Sequence, residues 1–330
     1  MNNKRRYSFV IVAVLLTLNL LSACKNNSNG KPSDDNQISD STQTKRGSAT
    51  PDKSNDAELK ALLAETVDKF TQREYKDPQT GKTMSYNLFI PEGYDKNKQY
   101  PLVLFIADAS TAGKDTKYPL IQGYGAGVWA TAKEQAKHPS FILVPQYTVK
   151  AVNDDFETSD EVEMTIRLLE QVTGQYSIDK NRLYTTGQSM GGMMSMYFNI
   201  AHPGLFAASI YVGCQWDTSK MAGFAKDKFF YIVAAGDEKT PKGMAALKTV
   251  LENKGAKISS AEWSAKLPRE EQESKVQELL AKGNSINFVT FTLGSVQPED
   301  GSGNEHMNSF DYAYKLEGVR DWLFKQTKNK

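Results

Sequence analysis

Histidine is scarce in this chain: 330 residues contain three, His138, His202 and His306. Any chemistry that needs an imidazole has only those places to find one. Cysteine is scarcer still, present only as Cys24 and Cys214. That excludes a disulfide-built scaffold and any cluster of thiolate metal ligands. Neither sign of charge is in excess, since 40 Lys and Arg stand against 39 Asp and Glu. A net charge of +1 provides no field that would favour nucleic acid. Internal repeats are missing as well, which excludes solenoids and propellers.

The first residues do not belong to a folded domain. Lys4, Arg5 and Arg6 make a basic start, and an apolar run from Phe9 to Leu21 follows, interrupted by Thr17 and Asn19. Residues 1–23 therefore have the layout of an export signal peptide. Leu21-Ser22-Ala23-Cys24 resembles a lipobox, the bacterial lipoprotein cleavage signal. That resemblance implies cleavage before Cys24, lipidation of its sulfur, and a lipid-anchored protein at the cell membrane facing outside the cytoplasm. The alternative is a transmembrane anchor, for which the run is short against the roughly 20 apolar residues a span needs. With Cys24 lipidated, Cys214 has no disulfide partner and reads as a small buried hydrophobe. Residues 24–56 carry almost no large apolar side chains, so they cannot offset their ordering entropy and read as a disordered tether. Residues 57–330 are long enough for one large core and are expected to form a single domain.

Within that domain short apolar runs alternate with helical patterns. Met84–Ile90, Leu102–Ile106, Phe141–Val144, Leu183–Thr186, Ala208–Val212, Phe229–Ala234 and Ile286–Thr292 predict strands. Several are apolar at every position, as strands covered on both faces are. Glu161–Thr173 puts Val162, Ile166, Leu169 and Val172 on one stripe, and Lys242–Glu252 and Tyr312–Lys325 are also helical by pattern. The expected class is α/β, with a mostly parallel central sheet flanked by helices. Residues 259–284 contain a charged amphipathic helix and read as an insertion, either a lid or an edge decoration.

Gly187-Gln188-Ser189-Met190-Gly191 lies between a predicted strand and a predicted helix starting near Met193. A serine in that setting sits on a tight turn at the end of a strand, with glycines permitting close packing. The Met190, Met193, Met194 and Met196 cluster reads as core filler rather than metal ligands, and no metal or cofactor is expected. A serine nucleophile needs a base. His202 lies just past the helix, about four turns from Ser189, and His138 starts a strand earlier in the chain; both read as structural. His306, in the loop after the last strand, is the candidate base. Asp237 follows a buried run and a glycine and is the candidate orienting acid, with Glu238 and Asp217 as alternatives.

With these residues assembled, the chain resembles the α/β-hydrolase superfamily, in its esterase and prolyl-oligopeptidase-like branch. The resemblance is carried by "YNLFIPEGYDKNKQYPLVLFI", "DKNRLYTTGQSMGG", "HPGLFAASIYVG", "GDEKTP" and "HMNSFDYAYKLEGVRDWLF". It implies the α/β-hydrolase fold, with Ser189 as nucleophile, Asp237 as orienting acid and His306 as general base. It also implies an oxyanion hole of backbone N–H groups from Met190 and Ala109. One departure is specific: the branch carries His-Gly after the strand equivalent to Leu102–Ile106, where this chain has Ala107-Asp108. Tyr124, Trp129, Gln188 and Trp216 are candidate pocket residues. The expected function is a serine hydrolase cleaving a small-molecule carboxylic ester. A serine peptidase, or a ligand-binding lipoprotein with weakened catalysis, are the alternatives.

Overall fold

The computed structural model describes residues 51–328 apart from 52, 300 and 302. The expected signal peptide 1–23, the expected lipidation site Cys24 and the expected tether as far as residue 50 lie outside the described residues. The last tether residues already belong to the folded domain, because they carry polar groups that it uses. Lys53 pairs with Asp311 at 2.6 Å. Asp56 accepts the Leu59 N–H at 2.8 Å and so caps the first helix, α1 (Ala57–Thr66).

Nine strands form one sheet: β1 (Thr71–Lys76), β2 (Thr83–Phe89), β3 (Tyr100–Ile106), β4 (Phe141–Pro145), β5 (Ile178–Gln188), β6 (Ala208–Val212), β7 (Phe229–Ala234), β8 (Ile258–Trp263) and β9 (Ile286–Phe291). Their spatial order is β1-β2-β4-β3-β5-β6-β7-β9-β8. β2 is antiparallel to both β1 and β4, and the pairs from β4 onward to β8 are parallel. The class is therefore the expected one, α/β with a mostly parallel sheet. Alternate residues of a strand point to opposite faces. In β3, Leu102, Leu104 and Ile106 enter one core layer while Val103 and Phe105 enter the other.

The first layer is closed by α5 (Asp160–Gln175), α6 (Met190–Ala201) and α7 (Thr240–Glu252). Buried Met193, Met194 and Met196 lie in this layer on α6, which packs on β3, β5 and β6. The second layer is closed by α1, the short helices α2 (Tyr118–Ile121) and α3 (Tyr124–Gly127), and α8 (Arg269–Leu280), α9 (Glu305–Lys315) and α10 (Glu317–Phe324). A further short helix, α4 (Ala132–Lys137), precedes β4.

One expectation with two alternatives narrows to the edge decoration, and another changes. Residues 259–284 form β8 and α8: β8 is the outermost parallel strand, paired along its length with β9, and α8 packs on β8 and α10. They extend the sheet edge rather than roof its end. The single helix expected over Tyr312–Lys325 is two helices that meet at Leu316. Glu273 of α8 accepts the Glu317 and Gly318 N–H groups, both at 2.7 Å, and thereby caps a new helix start.

Candidate active site

Ser189 follows the last residue of β5 and immediately precedes α6. Its φ of 49° lies in the left-handed region, where side-chain-bearing residues are strained by about 1–3 kcal/mol. The surrounding packing enforces that conformation. A Cβ added to Gly191 would come within 2.0 Å of the Ile106 carbonyl oxygen, and one on Gly187 within 2.3 Å of Gly191. One on Gly192 would strike Cys214 Sγ at 2.5 Å. The glycines around Ser189 thus let helix α6 start directly against the ends of β3 and β6. The Ser189 N–H reaches back to the Val212 carbonyl at 2.9 Å, which fixes the turn from the other side.

His306 approaches from the first turn of α9, whose N-cap Asn304 accepts the Met307 N–H at 2.9 Å. Ser189 Oγ and His306 Nε2 are 2.9 Å apart, and His306 Nδ1 and Asp237 Oδ2 are 2.5 Å apart. With Nδ1 donating to the carboxylate, Nε2 is left to accept the serine proton. Asp237 sits on the loop between β7 and α7, its side chain 5% exposed. Its other oxygen, Oδ1, accepts the N–H groups of Lys239 (3.0 Å) and Thr240 (3.2 Å). Burial pushes this carboxyl up, but the His306 bond and charge with those backbone donors outweigh it and hold it down at about 2. It is a fixed anion across the working range of an enzyme. The arrangement can pass a proton from Oγ to the imidazole and stabilise the imidazolium that results.

Glu305, beside His306, is a further residue of the site. It is buried, and its two carboxylate oxygens accept the Gly236 N–H at 2.9 Å and the Gly294 N–H at 2.8 Å. One side chain therefore ties together the loops after β7 and β9 at the position where the acid and the imidazole meet. Its only mark in the sequence is an acid in the first turn of a capped helix.

The alternative acids are placed elsewhere. Glu238 is exposed, and Asp217 caps its own turn through Ser219 at 3.0 Å. His138 pairs with Asp321 at 2.8 Å and stacks on Phe324, while His202 faces Glu163 at 3.1 Å. Glu134, His138 and Asp321 bring ligand-type atoms within 4.8 Å of one another. Arg320 already bonds Glu134 at 3.0 Å, and Lys137 lies 3.4 Å from Asp321, so this group is a balanced ion-pair network.

Of the residues expected for the oxyanion hole, Met190 opens α6, where helical N–H groups lack intrahelical partners. Ala109 opens a short 3-10 turn after β3, capped by Asp108. The two segments are in contact, since the space beside Gly191 is closed by the Ile106 and Ala107 carbonyls. The expected pocket residues need correction, because none of the four exposes more than 5% of its surface. Trp129 is fully buried in the second layer, donates to the Gly125 carbonyl and meets Tyr314 and Phe324 edge-on. Tyr124 points its hydroxyl at Asp56 and Glu58 under the Lys315 ammonium. Trp216 is packed between Phe156 and Tyr197, and Gln188 donates to Asp108. The large apolar side chains that are exposed among the described residues, Ile121, Val149 and Leu293, stand on connections leaving the carboxyl ends of β3, β4 and β9. That is the end of the sheet at which Ser189 lies.

Comparison with known proteins bears on the family and the fold. The Esterase family model matches residues 78–292. Among solved structures, a thermostable esterase superposes with a TM-score of 0.64 at 26% identity, covering 80% of this chain and 64% of that one. The chain thus spans less than two thirds of that protein's length. A ferulic acid esterase gives a TM-score of 0.51 at 13% identity, covering 76% of this chain and 98% of its own. The feruloyl esterase module from Clostridium thermocellum, complexed with sinapinate, gives 0.50 at 10% identity, covering 79% and 89%. The last two likenesses are likenesses of fold. No curated protein matches the chain in sequence.

Proposed function

The chain belongs to the Esterase family and has the α/β-hydrolase fold; from that premise we propose that it cleaves small-molecule carboxylic esters through an acyl-enzyme on Ser189. The observation that carries this reading is the unbroken hydrogen-bonded chain from Ser189 Oγ through His306 to Asp237. His306 takes the Oγ proton as Oγ bonds to the ester carbonyl carbon. The carbonyl electrons move onto oxygen, where the Met190 and Ala109 N–H groups would receive them. Collapse expels the alcohol, which leaves with the proton from His306. Water then repeats the sequence against the acyl-enzyme and releases the acid.

The basic start, apolar run and Leu21-Ser22-Ala23-Cys24 of the sequence support a place outside the cytoplasm, with lipid on Cys24. Labelled fatty acid should enter the wild-type chain in cells and be absent from Cys24→Ser. Equal labelling of the two would remove the lipid anchor.

Short p-nitrophenyl esters and a fluorophosphonate test the activity directly. The wild type should turn over the esters and gain one phosphonyl mass on Ser189; Ser189→Ala should do neither. An inert wild type would end the esterase reading. Faster cleavage of aminoacyl or prolyl amides than of esters would replace it with a peptidase. Ligand-induced stabilisation that survives Ser189→Ala, with no adduct in the wild type, would point instead to a binding lipoprotein. A panel of acetyl, feruloyl and longer acyl esters would then define the acyl group.

A further inference from the structure

Asp108 introduces a buried carboxylate, 2% exposed, at the end of β3 beside the start of α6. An anion free to face a developing oxyanion would oppose it. This one is not free. Oδ1 accepts the Ser110 N–H at 2.8 Å, and Oδ2 accepts the Gln188 amide at 3.0 Å together with the Gln122 amide. The Gln122 amide also reaches Ser110 Oγ at 3.1 Å. Gln188 is the residue before Ser189, and its backbone pairs with Val212 of β6. A single carboxylate therefore joins the turn after β3, the end of β5 and the link between α2 and α3.

We propose that Asp108 is a positioning residue for ester hydrolysis, and this rests on the reading of Ser189 and Ala109 given above. Through Ser110 it locks the turn that begins at Ala109 and aims that N–H. Through Gln188 it holds the backbone from which Ser189 rises. A carboxylate satisfies all three converging N–H groups at once, because both of its oxygens accept and neither donates.

The sign of one substitution separates positioning from simple charge. Asp108→Asn keeps the size and removes the negative charge. If the charge were only a nearby electrostatic burden, its loss would speed formation of the oxyanion. If Asp108 positions, the new NH₂ meets two amides set to donate, Gln122 or Gln188 must turn its Oε1 to accept it, the turn shifts and the reaction slows. In the full chain, kcat for a short p-nitrophenyl ester and the rate of Ser189 phosphonylation should both fall by about 10- to 100-fold, with KM changing by less than about threefold. The double change Asp108→Asn with Gln188→Glu should recover at least about tenfold of that loss. It exchanges the roles of the pair, so that the amide now donates from β3 to a carboxylate on β5. Gln122 can turn its partnerless Oε1 toward the same NH₂.

Asp108→Asn that matches or exceeds the wild type overturns the proposal, and so does a double variant no faster than the single one. Should Asp108→Asn not fold, Gln188→Met removes one donor and keeps the charge; an unchanged kcat there is equally fatal. A wild type that neither turns over esters nor takes the phosphonyl group would instead remove the esterase reading, and this proposal with it.

Discussion

At the scale of single residues, the acid and the strained serine determine what can be measured. Asp237 stays ionised down to about pH 2, so its own protonation does not limit activity above about pH 3. Linkage follows the same sign. A carboxyl lowered on folding from its ordinary 3.8 adds stability above that pH and loses it only as pH falls toward 2. Asp237→Asn should lower kcat by about 10³–10⁴ with little change in KM, because the imidazole loses the partner that selects its tautomer. Glu305→Gln keeps the shape but places an NH₂ against the Gly236 or Gly294 N–H, and kcat should fall by about tenfold while the protein stays folded by circular dichroism. Ser189, Asp237 and His306 could be singled out in the sequence because their chain order and loop positions are constrained by the chemistry. Asp108 stands out in the sequence only as a departure from His-Gly; its bond to Gln188, the Gly236 and Gly294 N–H groups held by Glu305, and the Tyr314 and Phe324 rings beside Trp129 come together only in the fold.

At the scale of elements, legibility follows coverage. β3, β4, β6 and β7 are buried at every position and announce themselves as apolar runs. β1 (TQREYK), mostly exposed, and β8 (ISSAEW), mixed in exposure, are the two sheet edges, and no apolar pattern marks them. The break at Leu316 is equally hidden, since a helix-forming sequence continues through it and the stop is supplied by Glu273 on another helix. Glu273→Ala should lower stability by about 1–2 kcal/mol, read from urea midpoints, and leave kcat for ester substrates unchanged. An equal loss of kcat would mean that the C-terminal helices also set the position of His306.

At the scale of the whole molecule, the near-neutral charge balance conceals one site whose ionisation strains the fold. Burial raises the Asp227 carboxyl from 3.8 to about 6, so the folded chain holds a proton that the unfolded chain has released. Stability therefore declines as pH rises from about 4 to 6 and stays reduced above. Asp227→Asn should raise the unfolding free energy at pH 8 by an amount on the order of 1–2 kcal/mol after allowance for partial exposure, read from urea midpoints, and leave it unchanged at about pH 3.5. The contact between Cys214 and Gly192 has a kinetic counterpart. Burial and the Asp237 charge push the Cys214 thiol up, and its sulfur lies against the first turn of α6. A small alkylating reagent can reach it only while that packing is transiently open. Labelling of Cys214 is thus a built-in clock for the breathing of the nucleophile turn, and it should run slower once Ser189 carries a phosphonyl group.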